Sequence, residues 1–366
     1  MTVHTEILLI AIAVSIACAI PGVFLVLRRM SMMADAITHT VFLGIVLAFF
    51  MTEDLNSPFL LVGATLVGVG TVWLTEMIHN TGLVNEDASI GIIFPLLFSI
   101  AIILVSLYSG NAHLDVDTAL LGEIAFAPFD RWIVNGTDLG PISLWISLGV
   151  ALINLILVML FYKELQLSTF DPLLAGLFSF MPALIHYVLM TMVSLTVVAS
   201  FQAVGAILVI GLMIGPAAIA YLWTDSVKAM LTSSIIIGII CAVVGTEVAF
   251  TMDVSIAGSI ATTIGIALII AVIATPKTGY IATYRRQRHL RRHYRETMML
   301  CHIYTHMDTP IAHVENGIGT IHEHLNWRPD YTHQAASQLK KQGLLYVTNG
   351  HYVLTDKGIA QVKEII

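Results

Sequence analysis

Long apolar runs constrain the fold of this chain more than any other feature. Nine of them follow one another over the first three quarters of the sequence, and a helix of about 20 residues spans the hydrocarbon core of a bilayer. Because lipid offers the backbone no hydrogen-bond partners, apolar segments of this length are expected to be helical. The predicted spans are 7–27, 33–51, 59–79, 90–108, 141–162, 183–200, 203–222, 230–250 and 255–275.

Composition supports a membrane protein. Of the 366 residues, 57% are hydrophobic and 11% are charged, whereas a soluble protein carries about 25% charged residues. Cys18, Cys241 and Cys301 lie far apart in sequence without a C-x-x-C spacing, which argues against a disulfide framework or a zinc knuckle. The N-terminus has no basic stretch and no small-residue cleavage site, which favours a first span over a removed signal peptide. The predicted fold class is an all-α polytopic membrane protein with about nine transmembrane helices.

Charge divides the chain near Pro276. Residues 276–366 contain 12 Lys and Arg against 7 acidic residues, together with 9 of the 14 histidines, whereas the part before them contains 5 Lys and Arg against 17 acidic residues. We predict a transmembrane domain over 1–279, a basic juxtamembrane linker over 280–295, and a cytosolic domain over 296–366.

The basic residues of the short loops predict the orientation, because cytoplasmic loops are enriched in Lys and Arg. With nine spans, Arg28, Arg29, Lys163, Lys228 and the 285–295 cluster all lie on one side. This predicts a multi-pass protein of the cell membrane, with its N-terminus outside and its C-terminal domain in the cytoplasm.

The outer segments are acidic apart from Arg131, and a short outer or re-entrant helix is predicted within 109–140. Acidic groups around a low-dielectric mouth attract cations, although ordinary solvated loops have the same composition. The acidic residues are Glu53, Asp54, Asp115, Asp117, Glu123, Asp130, Asp138 and Asp253.

An acid and a histidine share one helix face at the start of the second span. Asp35 and His39 are four residues apart, so their side chains lie one above the other. An ionisable pair in a span is costly and therefore indicates a functional site. The alternative is an acid–histidine hydrogen bond that only fixes the helix. Asp35 is seven residues from Arg28, so a site deep in the membrane requires that the 28–33 segment dips inward or that the spans tilt.

The stretch 163–182 is a short amphipathic interruption between long spans. Asp171-Pro172 is typical of a helix start, where proline is tolerated in the first turn. A helix lying flat on the cytoplasmic side could transmit force from a partner, or it could be an ordinary interfacial helix. His186, on the next span, could line a pathway or form an interhelical hydrogen bond.

Five stretches, in this order, resemble the metal-ion permease family of ABC importers, of the manganese, zinc and iron type. Together they cover nearly all of residues 7–279. They are RRMSMMADAITHTVFLGIVLAF, EDASIGIIFPLLFSIAIILVS, TFDPLLAGLFSFMPALIHYVLM, VVASFQAVGAILVIGLMIGPAAIAYL and MDVSIAGSIATTIGIALIIAVIATPKTG.

The resemblance implies a homodimeric permease that is powered by a separate cytosolic ATPase and supplied by an extracellular metal-binding lipoprotein. The family's substrate-facing acid and histidine fall on Asp35 and His39. Its coupling helix, which docks on the ATPase, falls on the segment that contains Phe170, Asp171, Pro172 and Gly176.

The residues themselves agree with a transport subunit rather than an enzyme. No G-x-x-x-x-G-K-[ST] motif is present to cradle ATP phosphates. A two-fold dimer would double the Asp35 and His39 ligands, because a symmetric interface repeats the same patch. Oxygen and nitrogen donors without thiolate suit manganese, zinc or iron(II) rather than copper(I). We expect manganese first, with zinc or iron next, as transported ions and no permanently bound cofactor.

The C-terminal stretch is predicted to form a winged-helix-like α+β domain. Gly343 ends a helix, and Asn349-Gly350 is typical of a hairpin turn between two β-rich runs. This order resembles the DNA-binding domains of iron- and manganese-dependent metalloregulators. The basic stretch 280–295 would lie against anionic headgroups of the membrane.

Three roles remain open for this domain. It could dock near the ATPase, respond to metal through histidine pairs, or bind DNA through Lys340 and Lys341, nucleic acid being the least favoured partner. The histidine pairs are His302 with His306, and His322 with His324.

For the whole chain, the alternative function is a membrane-bound metal-sensing regulator whose winged-helix tail is the output. A self-sufficient secondary transporter or channel is disfavoured, because the coupling segment would then have no partner.

Overall fold

A computed structural model describes residues 2–53, 57, 59–108, 124–134, 137–178, 180–275 and 279–365. The predicted outer acids Asp54, Asp115, Asp117 and Glu123 lie outside these residues. The chain divides into two compact units, Met1–Ile273 and Ala274–Ile366.

The first unit is a helical bundle. Nine of its helices, within the described ranges, are long and apolar enough to cross a membrane, so the predicted mostly helical, multi-spanning fold is confirmed. These nine are α1 Val3–Leu27, α2 Ser31–Thr52, α3 Phe59–His79, α4 Glu86–Tyr108, α5 Ile142–Leu160, α8 Pro182–Val204, α9 Ala206–Trp223, α10 Val227–Met252 and α11 Ile256–Ala274; two short helices, α6 Tyr162–Phe170 and α7 Pro172–Leu177, lie between α5 and α8.

Helix α1 forms the centre of the bundle. It packs against α2, α5, α8, α9 and α10, and large side chains such as Ile10 and Phe24 are fully buried. Asn154 of α5 ties three helices together, because its amide donates to the Ala17 carbonyl at 3.1 Å and to Thr196 Oγ1 at 2.7 Å. Hydrogen bonds of this kind between helices stabilise a bundle in which lipid provides no hydrophobic driving force.

Helices α2 and α3 approach each other closely at Gly44. A Cβ atom at this position would lie 2.5 Å from the Ala64 Cα and 2.6 Å from the Gly63 carbonyl oxygen. Both are backbone atoms, so neither can rotate away. Small residues therefore set the distance between the helix that carries Asp35 and its neighbour.

Gly44→Ala is expected to lower the stability of the purified protein by about 1–3 kcal/mol, the usual effect of overpacking. The measurement is thermal unfolding in detergent. Gly70→Ala is the matched control on α3, because a Cβ there meets no atom within 4 Å and alanine favours the helix. Equal melting temperatures for the two variants would contradict the close α2–α3 approach.

The helix break predicted at 200–203 lies further along the chain. Helix α8 continues to Val204, and the chain turns at Gly205, whose φ is 80°. Only glycine adopts this conformation without strain. The polar residues at 200–203 predicted a break between two spans, but the backbone conformation of Gly205 sets the position at which α8 ends.

The described part of the predicted outer helix is a hairpin. Strands β1 Arg131–Val134 and β2 Thr137–Pro141 pair antiparallel, after a single 3₁₀ turn at Ala127–Phe129. Arg131 contacts Glu6 at 3.1 Å and Asp138 at 2.6 Å. Hydrogen bonding from the Gly140 N–H and then Arg131 holds the pKa of Asp138 below its ordinary value. The one basic residue of this outer segment is thus balanced by two carboxylates.

The second unit contains helices and one hairpin around its own apolar core. Helix α12 runs without a break through the predicted 295/296 boundary. The core includes Leu300, Ile303 and Leu339. Its elements are α12 Tyr280–His306, α13 Ala312–Glu315, α14 Ile321–His324, α15 Pro329–Lys341, β3 Leu345–Thr348, β4 His351–Leu354 and α16 Asp356–Ile365.

The predicted turn chemistry of this unit is confirmed. Gly343 follows α15 with a φ of 71°, and Asn349 and Gly350 join β3 to β4 with φ values of 50° and 79°. Positive φ at both central residues is the geometry of a type I′ hairpin turn.

Candidate metal site in the membrane unit

The turn between α1 and α2 determines where the Asp35 helix begins. The Met30 N–H donates to the Leu25 carbonyl at 2.9 Å and the Arg29 N–H to the Val26 carbonyl at 3.1 Å. This is the Schellman pattern, whose left-handed position usually holds glycine. Here that position is Arg29, with a φ of 61°. The turn therefore begins α2 at Ser31 and places Asp35 in its second turn.

Asp35 and His39 face each other across one turn of α2, as predicted from their spacing. His39 Nε2 lies 3.6 Å from Asp35 Oδ1, and the side chains are 31% and 39% exposed. The rings of Phe94 and Phe98 on α4 flank the imidazole, with centroids at 5.5 and 6.0 Å. The separation is longer than a hydrogen bond, and both groups remain open on one side.

The pair is chemically incomplete as a metal site within one chain. Within the described ranges, no third His, Cys, Asp or Glu joins it in a group that could hold an ion. Zinc takes four ligands in most protein sites, and one carboxylate with one imidazole supplies only part of such a shell. A partly exposed pair of this kind can accept further ligands from its open side, which a sealed structural hydrogen bond cannot.

Arg28 joins the α1–α2 turn to two other helices. Its guanidinium donates to Ser168 Oγ at 2.8 Å and to Thr169 Oγ1 at 3.1 Å, both on α6, and Nη1 lies 3.3 Å from His186 Nδ1 on α8. These contacts tie the α1–α2 turn to α6 and α8, while Arg29 in the same turn remains exposed.

His186 extends this network to α3. Its Nε2 lies 2.6 Å from Glu76 Oε1, and the Tyr187 hydroxyl donates to Glu76 Oε2 at 2.7 Å. His186 thus forms the interhelical bond that was one of its two predicted roles. The Arg28 guanidinium alongside disfavours a second cation here. We name Arg28, Glu76, Ser168, Thr169, His186 and Tyr187 the arginine network.

Sequence reasoning missed Glu76 and Tyr187. A glutamate in an otherwise apolar span is itself a signal, because such residues in membranes are paired or functional. The partner could not be read from the sequence, since His186 is more than 100 residues away.

The predicted coupling residues lie in the α6–α7 segment. Asp171 Oδ1 accepts a hydrogen bond from the Leu174 N–H at 2.9 Å, and Pro172 is the first residue of α7. Gly176, near the end of α7, has open space at its Cβ position. The segment presents large apolar side chains to its surroundings: Phe170 is 61% exposed, Leu173 85%, Leu177 82% and Phe178 64%.

Comparison with known proteins places this architecture in a family. The model of the ABC 3 transport family matches residues 2–275. The zinc transport system membrane protein TroD of Treponema pallidum (strain Nichols) is 41% identical over 356 residues, which are 97% of this chain and 96% of that protein. The manganese transport system membrane protein MntD of Bacillus subtilis (strain 168) is 42% identical over 281 residues, 77% of this chain and 95% of that protein.

A solved structure supports the same assignment. The structure of PsaBC from Streptococcus pneumoniae in complex with Fab contains a chain that is 29% identical and superposes with a TM-score of 0.65. The match covers 78% of this chain and 96% of that one. This chain belongs to the ABC 3 transport family.

Proposed function

We propose that this chain is the membrane permease subunit of an ABC importer that moves a divalent transition metal into the cell, manganese first and zinc or iron next. The observation that carries the proposal is the open Asp35–His39 pair on α2. The names of the relatives, which transport manganese or zinc, support the substrate class. Carboxylate and imidazole donors suit these ions.

The transport site requires two copies of the chain. Around a two-fold axis, Asp35 and His39 of each protomer would supply two carboxylates and two imidazoles. Four such ligands replace a substantial part of the water around a divalent ion, which one pair does not. The exposed sides of Asp35 and His39 are consistent with this arrangement.

Energy comes from a separate ATPase in this proposal, because the sequence has no phosphate-binding motif. The ATPase would dock on the α6–α7 segment, whose Phe170, Leu173 and Leu177 are available for burial. The arginine network connects α6 to the beginning of α2. Movement of the docked segment would thereby reach the helix that carries Asp35 and His39.

The orientation proposed from the loop charges puts the α6–α7 segment and residues 274–366 in the cytoplasm. An extracellular metal-binding lipoprotein would then deliver the ion at the opposite face. The second unit is proposed to be winged-helix-like: α15 precedes the β3–β4 hairpin, and an isolated antiparallel bridge pairs Gly317 with His351 of β4. The family model ends at residue 275, which supports an added docking or metal-responsive role for this unit.

The test is uptake of radioactive Mn²⁺ by cells that express the chain with the ATPase that co-purifies with it. We expect saturable uptake that an ATPase variant without its phosphate-binding lysine abolishes. Unlabelled Mn²⁺ should compete best, followed by Zn²⁺ and Fe²⁺. Uptake that persists with the inactive ATPase would favour a secondary transporter or channel, and no uptake of any of the three ions would refute the proposal.

A further inference from the structure

Three histidines and a glutamate from separate segments meet in the second unit. His302 and His306 lie one turn apart on α12, with ring centroids 4.7 Å apart. His324, at the end of α14, stacks on His302 with a centroid separation of 6.2 Å and an angle of 27° between the rings. The Glu315 carboxylate forms an ion pair with His306 Nδ1. We name these four residues the histidine cluster.

The segments that carry the cluster are anchored to the core of the unit. Ile303 and Ile321, next to the cluster in sequence, are fully buried. The Asn316 side chain donates to the Ile303 carbonyl at 3.4 Å, and His302 Nε2 lies 3.3 Å from the Glu315 carbonyl. The buried Ile303 and Ile321 and the Asn316 hydrogen bond therefore hold α12, α13 and α14 together without a ligand, whereas the His302 contact belongs to the cluster itself.

The ring separations approach those of imidazoles that share one ion. Two histidines bound at nitrogen–metal distances of about 2.0–2.1 Å have ring centres roughly 4.5–5.2 Å apart for bond angles of about 90–109°. The His302–His306 separation of 4.7 Å falls in this range. His324 would have to approach by about 1 Å to join the same ion.

We propose that His302, His306, Glu315 and His324 form a second site for a divalent transition metal, separate from Asp35 and His39. Three imidazoles and one carboxylate are a ligand set suited to Zn²⁺, Mn²⁺ or Fe²⁺. Among the described residues, no three such groups already surround one point. Binding therefore requires side-chain rotations, in which the ion replaces the His306–Glu315 ion pair and the His302 contact to the Glu315 carbonyl.

One further observation supports a cation rather than a purely structural cluster. The histidine pairs named from the sequence supply two ligands each, whereas the fold adds Glu315 and His324 to the first pair. In the cytoplasmic orientation of the proposed function, the site would bind imported ions; the ligand set itself does not depend on that orientation.

The test uses the full-length chain in detergent, purified through a tag without histidine. Asp35→Ala and His39→Ala are introduced first, so that the membrane pair contributes no binding. Titration with Co²⁺, followed by its visible absorption, is expected to show a single bound ion that Zn²⁺ displaces. His302→Ala, His306→Ala and His324→Ala should each weaken Co²⁺ binding by at least about tenfold. Even removal of a residue that only supports a metal ligand lowers metal affinity by this factor.

Matched controls distinguish the cluster from other histidines. His289→Ala and His293→Ala change exposed residues of the same helix and should leave the titration unchanged. Glu315→Gln keeps the size of the side chain, so it should weaken Co²⁺ binding while circular dichroism and melting stay the same. Absence of Co²⁺ binding, or binding that the four cluster variants do not weaken, would overturn the proposal. The Co²⁺ titration measures binding to the purified protein and not metal uptake, so its outcome does not depend on whether the proposed transport function is correct.

Discussion

Replacement of Asp35 or His39 by alanine is expected to reduce Mn²⁺ accumulation to the level of cells without the importer. Each substitution removes two of the four proposed ligands from a symmetric dimer. Loss of a residue that only supports a metal ligand already lowers metal affinity or activity about 10–100-fold. Loss of two direct ligands should lower affinity by more than this. Radioactive uptake in cells is the measurement, with membrane abundance and ATPase association measured in parallel.

Asp35→Asn refines this experiment. The amide has nearly the same shape but no negative charge, so a loss of uptake would identify the charge rather than the packing as the requirement. The exposure of the pair predicts that folding tolerates all three changes. Wild-type uptake by either alanine variant would refute the site.

A second acid–histidine pair in the same unit provides a matched control. His4 Nε2 lies 3.3 Å from Glu247 Oε1, with side chains 40% and 51% exposed, and the His4 ring packs on Phe250. Its distance and exposure resemble those of Asp35 and His39, although it joins α1 to α10. His4→Ala and Glu247→Ala are expected to keep normal uptake.

Leu173→Glu and Leu177→Glu are each expected to weaken binding of the ATPase to the permease and to abolish ATP-dependent uptake. Both leucines are more than 80% exposed, and full burial of one leucine contributes about 1.5–3 kcal/mol. Its replacement by a charge should weaken association by at least about 10- to 100-fold. Co-purification of the ATPase and uptake of Mn²⁺ are the two measurements.

Leu83 is the control for this experiment. It is 86% exposed and lies in the turn between α3 and α4, which the proposed orientation puts on the same side of the membrane. Leu83→Glu should retain both the ATPase and uptake. If Leu173→Glu and Leu177→Glu also retained them, the α6–α7 segment would not be the docking surface.

The bundle could be predicted because its strongest signal is local. An apolar run of about 20 residues defines a span without knowledge of its neighbours, and each predicted span corresponds to one helix. The exact position of the break, at Gly205 rather than at 200–203, and the β1–β2 hairpin were not predicted. A positive φ at one glycine and the pairing of two strands of four and five residues leave little trace in a pattern of long apolar runs.

The site was predictable only within one helix. Asp35 and His39 follow from a four-residue spacing on α2, as do His302 and His306 on α12. The pairings of Arg28 with Ser168, and of His302 with His324, depend on how separate segments pack. A single sequence contains no direct record of such distances, so the arginine network and the complete histidine cluster required the structure.

The arginine network also has a consequence for ion leakage. Hydrogen bonds to a charged group contribute about 1.5–3 kcal/mol each, several times the thermal energy at room temperature. Arg28 makes three such contacts between the α1–α2 turn and helices α6 and α8. Separation of the turn from α6 by thermal motion alone must break two of them together and is correspondingly rare. The guanidinium therefore holds the α1–α2 turn to α6; in the proposed coupling the two separate only when the ATPase moves α6, which would limit leakage of ions through an idle permease.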